Sequence, residues 1–88
     1  MARDAEVAEW PDRKDRRRVD PRESYVWLRL HGQWTEGIIH KWIQRPDGVW
    51  LAWLKHRNLE GYAYPVWGLF VYSPETIRPR SDGPRPDD

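Results

Sequence analysis

Cysteine is absent from this chain of 88 residues. No disulfide can staple the fold and no thiolate can ligate a metal, which suits a reducing compartment. Long apolar runs are missing too. The longest, Val49 to Leu54, is far too short to span a bilayer, and the N-terminus lacks the hydrophobic stretch of a signal peptide. A cytoplasmic protein without a membrane segment is expected. Strong charge of one sign is also wanting, since the net charge is +1, well short of the footprint of a dedicated nucleic-acid binder. That small excess is unevenly placed. Residues 1–23 balance seven basic against seven acidic side chains, residues 24–80 carry seven against four, and residues 81–88 carry one against three.

Groups that carry chemistry are scarce. The serines are Ser24, Ser73 and Ser81, each at a boundary, a cap or a tail, with no base placed to activate it. Carboxylates in the middle of the chain are Glu36, Asp47, Glu60 and Glu75, and none forms an acid/base pair. His31, His40 and His56 lack close metal-ligand spacing, and cross-strand histidines without a third ligand read as surface residues. No enzyme activity, metal, cofactor or small-molecule substrate is expected.

What is present is a β pattern. The centre is Trp34 to Lys55, two runs rich in Ile, Val, Leu and Trp on either side of Arg45-Pro46-Asp47-Gly48. Proline presets φ at the first loop position, aspartate suits the second, and glycine accepts the left-handed conformation that a three-residue hairpin loop requires. With Gly48 in that position Arg45 faces Val49, and the ladder continues as Ile43 with Leu51, Lys41 with Trp53 and Ile39 with Lys55. The other face then pairs Gln44 with Trp50, Trp42 with Ala52, His40 with Leu54 and Ile38 with His56. Glycine followed by alternating isoleucine lets a strand bend over a small core, so Gly37, Ile39, Ile43, Leu51 and Trp53 are assigned inward and Trp42 and Trp50 outward. A one-residue slip reverses that choice.

Before the hairpin, Tyr25 to Leu30 alternates, placing Val26, Leu28 and Leu30 on one side of a strand, and His31-Gly32 makes a turn. After it, Asn58 to Gly61 is a turn, Pro65 belongs at an edge or loop, and Leu69 to Tyr72 is a strand. Ser73-Pro74-Glu75 starts one 3₁₀ turn before a short last strand that includes Ile77-Arg78-Pro79. Residues 1–23 cannot bury enough apolar surface to offset ordering entropy and are expected as a flexible charged arm. A short helix over Asp4 to Trp10 would bring Val7 and Trp10 to one side. Residues 81–88 are expected as a disordered tail.

Five short strands within residues 24–80, a long bent central hairpin and a 3₁₀ turn before the last strand form the plan of an SH3-like small barrel. The residues Trp34-x-x-Gly37-x-Ile39, Asp47-Gly48, Trp53, and Phe70-Val71 through Ser73-Pro74-Glu75 to Ile77-Arg78-Pro79 resemble the Tudor, KOW and bacterial SH3 group, and most of all small actinobacterial proteins of this type. The resemblance implies an all-β, five-stranded barrel over residues 24–80 and a binding module rather than an enzyme. The Ala-Leu-Tyr-Asp-Tyr opening of proline-rich-peptide binders is lacking, so that specificity is not implied.

Residues 24–80 also hold eleven aromatic side chains. A buried aromatic covers about 150–250 Å², and so small a barrel cannot enclose all of them. Two uses for the remainder stand side by side. Trp42, Trp50, Tyr62, Tyr64 and Trp67 would form a face for a protein or peptide partner, a second copy of the chain included. Alternatively, the rings would stack bases of single-stranded nucleic acid while Arg29, Lys41, Arg45, Lys55, Arg57 and Arg78 track phosphates.

Overall fold

The computed structural model describes residues 3–86. It is all-β, with six strands: β1 (Arg17–Val19), β2 (Tyr25–Leu30), β3 (Gln33–Gln44), β4 (Trp50–His56), β5 (Val66–Val71) and β6 (Ile77–Pro79). Every pairing is antiparallel. The order is β5-β4-β3-β2-β6, with β1 also against β3.

The central hairpin forms around its turn as the residues dictate. The Arg45 N–H donates to Val49 O at 2.9 Å, Gly48 N–H donates back to Arg45 O at 2.9 Å, and Gly48 has φ +90°. Asp47 adds a clamp, accepting from Val49 N at 3.1 Å and pairing with Arg45. Expected pairs hold from Gln44–Trp50 through Lys41–Trp53. Beyond them the ladder skips His40, so Ile39 faces Leu54, Ile38 faces Lys55 and Gly37 faces His56. That β-bulge bends β3 and turns the residues before it to the other face.

The bulge corrects the inside-outside assignment. Ile39 joins Ala52, Leu54, Phe70, Val26, Leu28, Leu30 and Ile77 in the main core, with Trp42 packed against it. Ile43 and Leu51 are buried as expected, but on the opposite face, in a smaller cluster with Leu69, Ala8 and Trp53. Trp42 and Trp50 are therefore on the inner face, half-buried, rather than outside. Gly37 lies where backbone must come close, since a Cβ there would stand 3.3 Å from Val26 Cγ2.

The five-stranded closed barrel is corrected to six strands in a sheet that is not closed. Twelve-residue β3 outruns β2, whose pairing stops at Ile38, and Arg17–Val19 covers the edge left at Trp42–Gln44. The strand missed in the sequence thus lies inside the expected charged arm. Residues 4–10 run extended rather than helical, and a 3₁₀ turn at Arg13–Asp15 leads into β1. Ala8 N donates to Leu69 O and Val71 N to Glu6 O, both at 2.9 Å, while Ala5 N reaches Arg29 O at 2.8 Å. This segment bridges the β5 edge to the end of β2.

The turn before β6 forms on Ser73. Its carbonyl accepts from Thr76 N at 3.0 Å, in the 3₁₀ manner, and its hydroxyl accepts from Glu75 N at 3.3 Å. Past β6 a 3₁₀ turn spans Arg80–Asp82, and the Trp27 indole N–H donates to Gly83 O at 3.2 Å. That part of the expected tail lies on the sheet, while residues 87 and 88 fall outside the described residues.

Candidate functional site

Across β1, β3, β4 and β5 the inner face carries a row in direct register: Val19 opposite Trp42, Trp42 opposite Ala52, Ala52 opposite Phe70. Ala52 is the small member. It lets Trp42 lie over it and leaves room between Trp42 and Trp50, its neighbour along the same face of β4. Tyr72 follows β5, held by its N–H donating to Trp50 O at 2.9 Å, and meets Trp42 edge-on with ring centroids 5.3 Å apart. Val26, Ile77 and Pro79 from β2 and β6 make the facing wall.

The result is a groove of about 460 Å³ at the side where the sheet stays open, a volume within the range of ligand sites. Its floor is apolar and aromatic. The rim is Asp20, Arg22 and Glu23, from the link between β1 and β2. Glu23 is engaged, accepting from the Ser81 hydroxyl at 2.8 Å, and Asp20 pairs with Lys41. Arg22 is exposed and has no ion pair among the described residues. A second cavity, of about 470 Å³, is lined by Trp27, Trp34 and Leu59 together with the polar side chains of Gln33, Thr35, Glu36 and Asn58, and is more polar than the groove.

The five rings expected on one face occupy three places. Trp42 and Trp50 share the groove. Tyr62 and Tyr64 stack on each other in the loop before β5, centroids 5.6 Å apart. Trp67 is on the outer face, 5.3 Å from Trp53 and 5.7 Å from His40. Val19, Tyr72 and Pro79 were missed as site residues, and the signal for Val19 was faint: a lone apolar residue in a charged stretch.

The six expected phosphate contacts do not form one track. Arg29 is buried, with Asp4 at 3.8 Å, and Arg45 pairs with Asp47. Arg78 lies over Trp34 at 5.0 Å and donates to Pro74 O at 3.2 Å. Arg57 is exposed beside the Tyr62–Tyr64 loop. Lys41 and Lys55 share the outer face, Lys41 on Asp20 and Lys55 over Trp67 at 5.9 Å. The Asp20 carboxyl is held below its ordinary value, first by the hydrogen bond from Lys41 and second by that ammonium's charge, with His40 and Arg18 adding to the pull.

His40 and His56, expected on one face, are parted by the bulge: His40 is edge-on to Trp53, His56 lies near Phe70. Among the described residues no three His, Cys, Asp or Glu side chains gather as metal ligands, and no helix is long and apolar enough to cross a membrane. Comparison with protein-family models, curated proteins and solved structures finds no match to this chain.

Proposed function

We propose that this protein is a non-enzymatic binding module whose inner-face groove takes a short apolar segment of a partner protein. The observation that supports this reading is the convergence of Trp42, Trp50, Tyr72 and Pro79 on one cleft. Tryptophan and tyrosine dominate interface energetics because they remove large area from water at small cost in rotamer entropy. The site takes an extended segment, since β1 and β6 border it, and among the described residues β1 pairs with β3 alone and β6 with β2 alone. A bulky apolar side chain fills the space between the two indoles, and an acidic residue beside it meets Arg22 at the rim.

Selection of binders from a displayed library of random peptides tests this. Enriched sequences are expected to share an aromatic or large aliphatic anchor with a neighbouring acid. Titration of a selected peptide should weaken by about tenfold or more on Trp50→Ala and on Tyr72→Ala, the loss typical of a truncated interface anchor. Arg22→Glu should weaken it less, and Tyr64→Ala should leave it unchanged. Failure to enrich any sequence, or equal binding by Trp50→Ala, overturns the proposal.

A further inference from the structure

The outer face carries a different constellation. Trp10, from the N-terminal segment, meets Trp53 edge-on at 5.2 Å, and Trp53 meets Trp67 at 5.3 Å. Trp10 and Trp67 keep about half their surface in solvent, at 46% and 51% exposed. Cations rest on both rings: Arg16 lies 5.1 Å from the Trp10 centroid and Lys55 5.9 Å from that of Trp67. Beside them Arg18 stands opposite Ile43 and Lys41 opposite Trp53, which puts both on this same face. His40 fills the corner between Trp53 and Trp67. Asp20, bonded to Lys41, is a carboxylate set among these cations.

We infer that this indole-and-cation surface binds single-stranded nucleic acid, with bases on Trp67 and Trp10 and phosphates on Lys55, Arg16, Arg18 and Lys41. Two properties select that ligand. Accessible indoles flanked by cations match a chain that alternates π-faces with negative charges, and charge complementarity is local even though the whole chain is near neutral. A duplex hides its base faces and offers only the charge. Lys55 sits near the outer limit of a cation–π contact, so a base can take its place on the ring while the ammonium swings to the adjacent phosphate. Exposed pairs such as Lys41–Asp20 contribute little and exchange readily for a phosphate. The indoles of this surface lie on the sheet face opposite the peptide groove, and the two sites meet at Asp20, which rims the groove and pairs with Lys41.

A fluorescence titration with a short oligothymidylate, an equal-length duplex and heparin, each across a salt series, tests the inference. The single strand should bind at low salt, quench tryptophan emission and weaken linearly in log–log form as salt rises. Trp67→Ala should reduce affinity by about tenfold with the salt slope retained, the cost of one lost stacking partner. Lys55→Glu, a surface change that leaves the core intact, should reduce both affinity and slope. Trp50→Ala should change neither, which separates this site from the groove. No binding at low salt, binding of duplex or heparin as tight as the single strand, or indifference to both Trp67→Ala and Lys55→Glu overturns it.

Discussion

His40 stands edge-on to Trp53, ring centroids 4.7 Å apart, as the residue that the β3–β4 ladder passes over. Its extra place in β3 is what sends Ile39 to the main core while Ile43 faces the other way. Deleting His40 would remove the bulge and leave Ile39 opposite Leu54 and Lys41 opposite Trp53 as adjacent rungs of a regular ladder, with Ile39 still turned to the main core. That deletion straightens β3 and loses the ring contact as well, and is expected to cost more than removal of the ring alone. His40→Ala keeps the bulge and loses only the ring contact, about 1 kcal/mol. Urea unfolding of both variants separates the bulge from the side chain.

Gly68 lies against Phe70 so closely that a Cβ would stand 2.5 Å from the ring. Phe70 is buried in the main core. Gly68→Ala is expected to destabilise by about 2 kcal/mol, in the range of overpacked cores. Combined with Phe70→Leu the two losses should not add, because the smaller side chain removes the clash. Thermal melts of the two single variants and the double variant measure the coupling.

Asp47 links turn geometry to pH. Its carboxyl is held below its ordinary value first by the Val49 N–H and then by the Arg45 side chain. A pKa lower in the folded than in the unfolded chain means a contribution that is complete above the ordinary carboxylate range. It is lost as pH falls through the lowered value. Asp20, lowered chiefly by Lys41, acts in the same direction. The urea midpoint of the parent protein should therefore fall on acidification more steeply than that of Asp20→Asn/Asp47→Asn, with the two curves converging at low pH.

The two-residue turn between β2 and β3 places His31 at φ +51° and Gly32 at φ +74°, the pair of positive angles a type I′ hairpin needs. Glycine is at ease there; histidine is not. His31→Asn should stabilise by about 0.5–1 kcal/mol, since asparagine tolerates the left-handed region better. A rise in melting temperature with unchanged peptide binding is the expected outcome.

Where the turn residues are explicit, the sequence is a sufficient guide. Pro46-Asp47-Gly48 sets the hairpin and its nearest four rungs, and the alternation from Val26 to Leu30 sets the buried side of β2. The bulge at His40 left no mark, because no glycine or proline sits there and such a bulge accepts an ordinary side chain. That one extra residue changed which face Trp42 and Trp50 occupy. The N-terminal segment was illegible for another reason. Its ordering rests on backbone hydrogen bonds donated by Ala5 and Ala8 and accepted by Glu6, and on the β1 pairing, and composition weighs side chains alone. In the candidate site Trp42 and Trp50 were legible as spare rings. Tyr72 and Pro79 were not, since their place beside the indoles depends on how β5 and β6 return.

The groove itself is tested most directly by following side-chain and backbone resonances while a selected peptide is titrated into the labelled protein. The account predicts that the indole signals of Trp42 and Trp50 and the amides of Val19 and Tyr72 shift together and saturate with one dissociation constant, while Trp67, Tyr62 and Tyr64 stay in place. Shifts confined to Trp67, Tyr62 and Tyr64, with the groove residues unmoved, would contradict it.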